Sequence, residues 1–172
     1  QDDISCHMAV KSVEILSMID FENYPNFNKF KGINILAIDY GTKVTGLAQF
    51  CPGREPYPQP RGRIIFKSDE QLIEELKAFI EEDFIEILVL GLPLYLDGNE
   101  SEMTKTVRAF GKKLEKSFDK LQIVLQDETL SSNAAKERMM SSPRYNFKVD
   151  PKKIDEVAAT IILEDFMTKT IP

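Results

Sequence analysis

Histidine is almost missing from this chain. His7 is the only one, and it lies near the start of the sequence, so catalysis built on a histidine base is not expected. Cysteine is scarce as well. Cys6 and Cys51 provide neither a disulfide framework nor a zinc-ligand spacing. Long apolar runs are lacking: the longest, such as residues 87–90, are the size of a strand, whereas a bilayer span needs roughly 20 apolar residues. No membrane partner is therefore expected. The first residues carry no charged-then-apolar leader pattern, which makes the cytoplasm the expected location. Positive charge is in deficit too, with 22 Lys and Arg against 28 Asp and Glu and a formal net charge of −6. Bulk electrostatics thus give no attraction to nucleic acid. Any phosphate-binding role must rest on a local basic face or on bound metal ions. Internal repeats and low-complexity tracts are absent.

What remains is an ordinary globular composition, 42% apolar and 29% charged over 172 residues, enough for one domain with a hydrophobic core. Residues 1–31 read as an N-terminal extension separable from the core, and residues 32–172 as the domain. Within the extension, Val10, Val13 and Leu16 fit a short amphipathic helix, and residues 21–30, rich in Asn and aromatics around Pro25, read as a loop. Strands are expected at residues 33–38, 45–50, 63–66, 85–90 and 122–126. Residues 51–62, with four prolines and two glycines, form a loop between the second and third. A helix starts after Ser68, where Gln71 completes a capping box, and buries Leu72, Ile73, Leu76, Phe79 and Ile80. A second helix covers residues 100–118, a short one residues 131–140. A last helix is capped by Asp150 with Pro151 at its first position. An opening meander followed by strand–helix alternation implies an α/β fold: a five-stranded mixed sheet flanked by helices.

Three acidic positions stand where such a sheet places its chemistry. Asp39 follows the first strand, Asp127 and Glu128 follow the fifth, and Asp155 lies one turn into the last helix, before Val157, Ala158 and Ala159. Each alone also suits a plainer role, as a turn residue, a loop acid or a partner of a helix dipole. Together they match the needs of a two-metal site, in which ions about 4 Å apart clamp the attacking and leaving oxygens of a phosphodiester. Carboxylates suit Mg²⁺ or Mn²⁺. Lys105, Arg108, Lys112 and Lys116 share one helical face, either as a phosphate-neutralising stripe or as a solvated face balanced by acids. Lys148, Lys152 and Lys153 flank Asp155 more closely.

Four motifs in order carry a resemblance. Asp39-Tyr40-Gly41-Thr42-Lys43 with Gly46-Leu47-Ala48 looks like the opening D-[FY]-G-T-K…G-[VL]-A motif of the YqgF/RuvX family. Val89-Leu90-Gly91-Leu92-Pro93-Leu94 with Asp97-Gly98 is similar to its V-G-L-P…D-G loop. Asp127-Glu128-Thr129-Leu130-Ser131-Ser132 resembles its D-E-R-L-[ST]-[ST] motif, and Asp155-Glu156-Val157-Ala158-Ala159 followed by Ile161-Ile162-Leu163 its closing V-D-x-x-A-A…I-L segment. The resemblance covers about residues 33–168. It implies a ribonuclease-H-like fold and an acidic site of Asp39, Glu128 and Asp155, with Asp127 as a possible substitute metal ligand. Thr42, Lys43, Leu92, Pro93, Lys152 and Lys153 are the expected substrate-binding positions. Thr129 departs from the family's usual Arg, and Lys152-Lys153 from its usual Gly-Lys.

The implied activity is that of a metal-dependent nuclease using Mg²⁺ or Mn²⁺, acting on RNA or branched DNA. Maturation of small-subunit ribosomal RNA, in a pre-ribosomal particle, and Holliday junction resolution are the two substrates implied; monomer and homodimer both stay open. The alternative is a non-catalytic nucleic-acid-binding factor in ribosome biogenesis, for which the missing Arg at position 129 leaves room. An actin-like ATPase, suggested by Asp-x-Gly-Thr alone, needs a second phosphate loop that this chain lacks.

Overall fold

The structure is a computed structural model that describes residues 20–129 and 131–169; the expected helix around Val10, Val13 and Leu16 lies outside them. Five strands form one sheet: β1 (Ile35–Asp39), β2 (Val44–Phe50), β3 (Gln59–Ile65), β4 (Ile87–Pro93) and β5 (Gln122–Glu128), in the order β3-β2-β1-β4-β5. The opening meander is antiparallel, while β4 and β5 run parallel to β1. β1 and most of β4 are buried without alternation, as central strands covered on both faces must be.

Helix α1 (Pro25–Phe30) and the final helix α5 (Ile154–Thr168) lie on one face; α2 (Asp69–Glu82) and α3 (Glu102–Ser117) lie on the other. Ile35, Ala37, Ala48, Phe50, Val89, Ile162 and Phe166 build the first core layer. Leu36, Ile38, Leu47, Leu76, Leu90, Phe110 and Leu114 build the second. Helix α4 (Ser131–Met140) packs on the flank of α5 through Ala135, Met139, Val157 and Ile161. The capping box at Ser68 and Gln71 forms as expected, and Ser101 with Thr104 makes a second one on α3.

Strand boundaries shift from the sequence reading: β1 and β4 begin two residues later than expected and end later. β3 begins four residues early, because Pro60 and its neighbours sit on an edge strand, where a missing N–H costs no ladder bond. β4 and β5 extend each other in register as far as the pair Pro93 and Glu128. The last helix starts at Ile154, later than expected. Asp150 accepts from the backbone N–H of Lys152 at 2.9 Å and closes a separate turn ahead of it, so Asp155 stands in the first turn of α5.

Residues 21–30 are not a loop. Phe21–Asn23 form a 3-10 turn capped by Asp20, and Pro25 opens α1 at the position where proline is favoured. Phe21, Phe27 and Phe30 are all buried in the first core layer. The Phe30 ring lies 5.1 Å from that of Phe166, and the Phe21 ring 5.5 Å from that of Phe50. The Asn26 side chain donates to the Phe166 carbonyl at 2.6 Å. A boundary at residue 31 cuts through this cluster; we propose that the domain includes Phe21, Phe27 and Phe30.

Phe30→Ala is expected to lower stability by about 3–5 kcal/mol, the usual cost of emptying a buried aromatic position. A urea titration checks this; an unchanged midpoint would restore residues 1–31 as a separable extension.

Candidate active site

Strand register brings the acids together. Asp39 ends β1 directly opposite Gly46 of β2. On the other side, β4 continues the pairing of Ile38 with Leu90, which places Gly91 beside Asp39. Side chains alternate along a strand, so Asp39 shares the α5 face with Ile35 and Ala37. By the pairings Gly91 with Gln126 and Pro93 with Glu128, Glu128 shares that face too. Both glycines flanking Asp39 leave room that other acids fill. A Cβ at Gly91 would stand 3.0 Å from Glu128 Oε2 and 2.5 Å from Ile162 Cδ1. A Cβ at Gly46 would stand 2.0 Å from the Asp155 carbonyl oxygen and 2.9 Å from its Cβ. Asp39 therefore sits between Glu128, lying over Gly91, and Asp155, lying over Gly46.

The electrostatics follow from this crowding. Burial, then the Glu128 carboxylate, then the Asp155 carboxylate push the Asp39 carboxyl well above its ordinary value of 3.8. Burial also raises Asp155, against the opposing effect of the Arg63 guanidinium. Glu128 is itself buried. Such a set favours a bound proton or cation, and its all-oxygen donors fit Mg²⁺ or Mn²⁺ better than a soft metal. Among the described residues, however, no group of three or more His, Cys, Asp or Glu already stands as a closed metal-ligand set. Cation binding would have to draw the three carboxylates inward.

The other expected positions divide. Asp127 does not join the acids: alternation turns it to the opposite face, where it is exposed. Leu92 is not a substrate contact either, because its side chain is buried in the core layer beneath α3. Pro93 is half-buried on the carboxylate face, beside Glu128. Thr42 and Lys43 are exposed in the turn that follows Asp39, and Lys152 and Lys153 are exposed just ahead of α5. On α3, Lys105 pairs with Glu102 and Arg108 with Glu100, which favours the solvated-face reading of that stripe. The sequence reading missed Arg63, whose charge acts on Asp155. It also missed the anchor behind Asp39. The Tyr40 hydroxyl donates to Asp69 at 2.8 Å, and Lys113 donates to the other oxygen of the same carboxylate at 2.8 Å, tying the end of β1 to α2 and α3.

The raised Asp39 carboxyl makes stability depend on pH. The folded state holds that proton more tightly than the unfolded chain, so the contribution is fully present below about pH 4 and is lost as pH rises through the folded-state value. In chelator, Asp39→Asn is expected to unfold at a higher temperature than the parent at pH 7, with the gain vanishing near pH 3. A melting-temperature series over pH tests this; an equal gain at both ends would mean that Asp39 is not held above its ordinary value.

Comparison with known proteins gives the family and the fold. The family described as "RuvX: Holliday junction resolvase" matches residues 33–169. A protein of Maridesulfovibrio salexigens named "Putative pre-16S rRNA nuclease" is 36% identical over 137 residues, covering 80% of this chain and 99% of the relative. One of the same name from Chlorobium phaeobacteroides is 33% identical over 140 residues, covering 79% and 92%. Among solved structures, RuvC of T. thermophilus in complex with a Holliday junction substrate superposes with a TM-score of 0.51 at 8% identity, over 78% of this chain and 94% of that one; at that identity the likeness speaks for the ribonuclease-H-like fold alone. With the family match spanning residues 33–169 and relatives at 36% and 33% identity, the chain belongs to the RuvX family, described as Holliday junction resolvase.

Proposed function

We propose that this protein is a metal-dependent nuclease that hydrolyses phosphodiester bonds in structured nucleic acid. Its substrate on this reading is a small-subunit ribosomal RNA precursor near its 5′ end, within a pre-ribosomal particle in the cytoplasm. The observation that carries the reading is the convergence of Asp39, Glu128 and Asp155 on one face of the sheet, with Asp39 between the other two. The relatives named as pre-16S rRNA nucleases support the choice of RNA, and the family description keeps a four-way DNA junction as the second substrate to test. Asp39, Glu128 and Asp155 would hold Mg²⁺ or Mn²⁺, which supplies Lewis acidity and charge neutralisation at the phosphate. Thr42, Lys43, Pro93, Lys152 and Lys153 rim the approach, and monomer and homodimer fit equally.

Asp39→Asn removes a charge between two other acids while keeping size and one oxygen. Cleavage should fall at least about a hundredfold, since losing a central carboxylate costs several kcal/mol of transition-state stabilisation. The assay is cleavage of a precursor ribosomal-RNA fragment and of a four-way DNA junction in Mg²⁺ and in Mn²⁺. Equal activity of variant and parent ends the assignment of the site. An inactive parent on both substrates favours the non-catalytic binding factor.

Net charge of −6 leaves little long-range attraction. Binding to either nucleic acid should therefore be weak and strongly dependent on divalent ions. Equal affinity in chelator and in Mg²⁺, measured by fluorescence anisotropy, would contradict metal-assisted binding.

A further inference from the structure

We infer that Arg63, turned onto the carboxylate face by a β-bulge and held there through Glu156, is the residue that grips a non-bridging oxygen of the phosphodiester at the acidic site. The inference rests on the nuclease reading for the identity of its ligand, and on the fold for the position of the guanidinium.

The bulge is visible in the register. Gln59 pairs with Gln49 and Pro60 with Ala48, but Arg63 pairs with Gly46, so β3 carries an extra residue between these pairs. Gly62 sits in the bulge with φ +83°, a left-handed conformation that glycine adopts without strain. Were the strand regular, Arg61 and Arg63 would project to the same face. Instead, Arg61 reaches Asp83 at 2.5 Å and lies over the Phe79 ring, on the α2 side of the sheet. Arg63, level with Gly46, is on the α5 side with Asp39, Glu128 and Asp155.

A tether fixes the bulge to the site. The Gly62 N–H donates to Glu156 Oε2 at 2.7 Å, and Glu156 follows Asp155 in the first turn of α5. Position 46 offers no side chain to separate the two elements; the Asp155 backbone occupies that space. Arg63 is thus presented beside Asp155, close enough for its charge to be felt there.

The Arg63 side chain makes no hydrogen bond or ion pair among the described residues, and only its charge acts on Asp155. Among the described residues the other arginines have partners: Arg54 bonds Asn34, Arg61 pairs with Asp83, Arg108 with Glu100 and Arg138 with Glu164, and Arg144 lies over Tyr145. Arg63 is exposed and makes no ion pair with Asp155. A planar guanidinium whose donors meet no partner among the described residues, next to carboxylates that would hold cations, complements the remaining charge of a phosphodiester. In a chain of net charge −6, one aimed cation at the site matters more than scattered surface lysines.

The test compares the full chain with Arg63→Ala, Arg63→Lys and Glu156→Ala. Anisotropy with the precursor ribosomal-RNA fragment and the four-way DNA junction is read in Ca²⁺ from 50 to 200 mM salt, roughly the range over which phosphate contacts are resolved, and cleavage is read in Mg²⁺. Arg63→Ala should weaken binding about tenfold and flatten the salt slope by about one, with an unchanged melting temperature. Arg63→Lys should restore the slope but only part of the cleavage rate, because an ammonium lacks the two-pronged geometry. Glu156→Ala should lower kcat more than it raises KM, the mark of a positioning residue. Parental affinity and slope in Arg63→Ala overturn the inference while a cleaving parent upholds the nuclease reading. A parent that binds with an Arg63-dependent slope but cleaves neither probe upholds the phosphate contact and sinks the nuclease. A parent that neither binds nor cleaves sinks both.

Discussion

The structure depends on one close approach, the first turn of α5 lying against the backbone of β2 at Gly46. A side chain there would need the space of the Asp155 carbonyl. Lifting the helix by the thickness of one methyl group would take Asp155 away from Asp39 and Glu156 away from Gly62. It would also open the core layer that Ala159, Ile162 and Phe166 close over Ala37 and Val89. Tight packing of this kind has two discrete outcomes, contact or separation. The apolar body of α5, buried from Val157 to Met167 apart from Asp165, forces contact, and the acidic first turn is carried along with it.

That arrangement sets stability against chemistry. Three carboxylates on a shared, partly dry face repel one another, and nothing in the fold requires them there. The surrounding framework offsets the penalty. Both faces of the sheet are covered by continuous apolar layers, and the end of β1 is held from behind by Tyr40, Asp69 and Lys113. Sites of this type are where a sequence departs from what packing alone would choose.

Much of this was legible in the sequence, for identifiable reasons. Uniform apolar runs identified β1 and β4, Ser68 with Gln71 marked the start of α2, and the acids after two strands and in the last helix marked positions that the fold brings onto one face. What stayed hidden involves long-range geometry. Phe21, Phe27 and Phe30 read as part of an aromatic loop because their partners, Phe50 and Phe166, are remote in sequence. Pro60 looked like a strand breaker until β3 proved to be an edge. Asp127 and Glu128 were inseparable as neighbouring acids, and only the pairing register assigned them to opposite faces. Arg63 carried no local signal at all, because the face it occupies is decided by one extra residue in the strand.

The acidic set draws its members from positions 39, 128 and 155, the last on the final helix of the fold. Contacts this distant along the chain are made late, after the loops between them have been closed. During synthesis, β1 to β5 emerge before α5 does. Until α5 has emerged, Asp39 and Glu128 lack the third carboxylate and one face of the sheet lacks its cover. The repulsion is completed, and the site with it, only when the last helix docks. The same step that finishes the hydrophobic core thus completes the acidic set, so a chain cut short before residue 154 would carry two acids and no complete site.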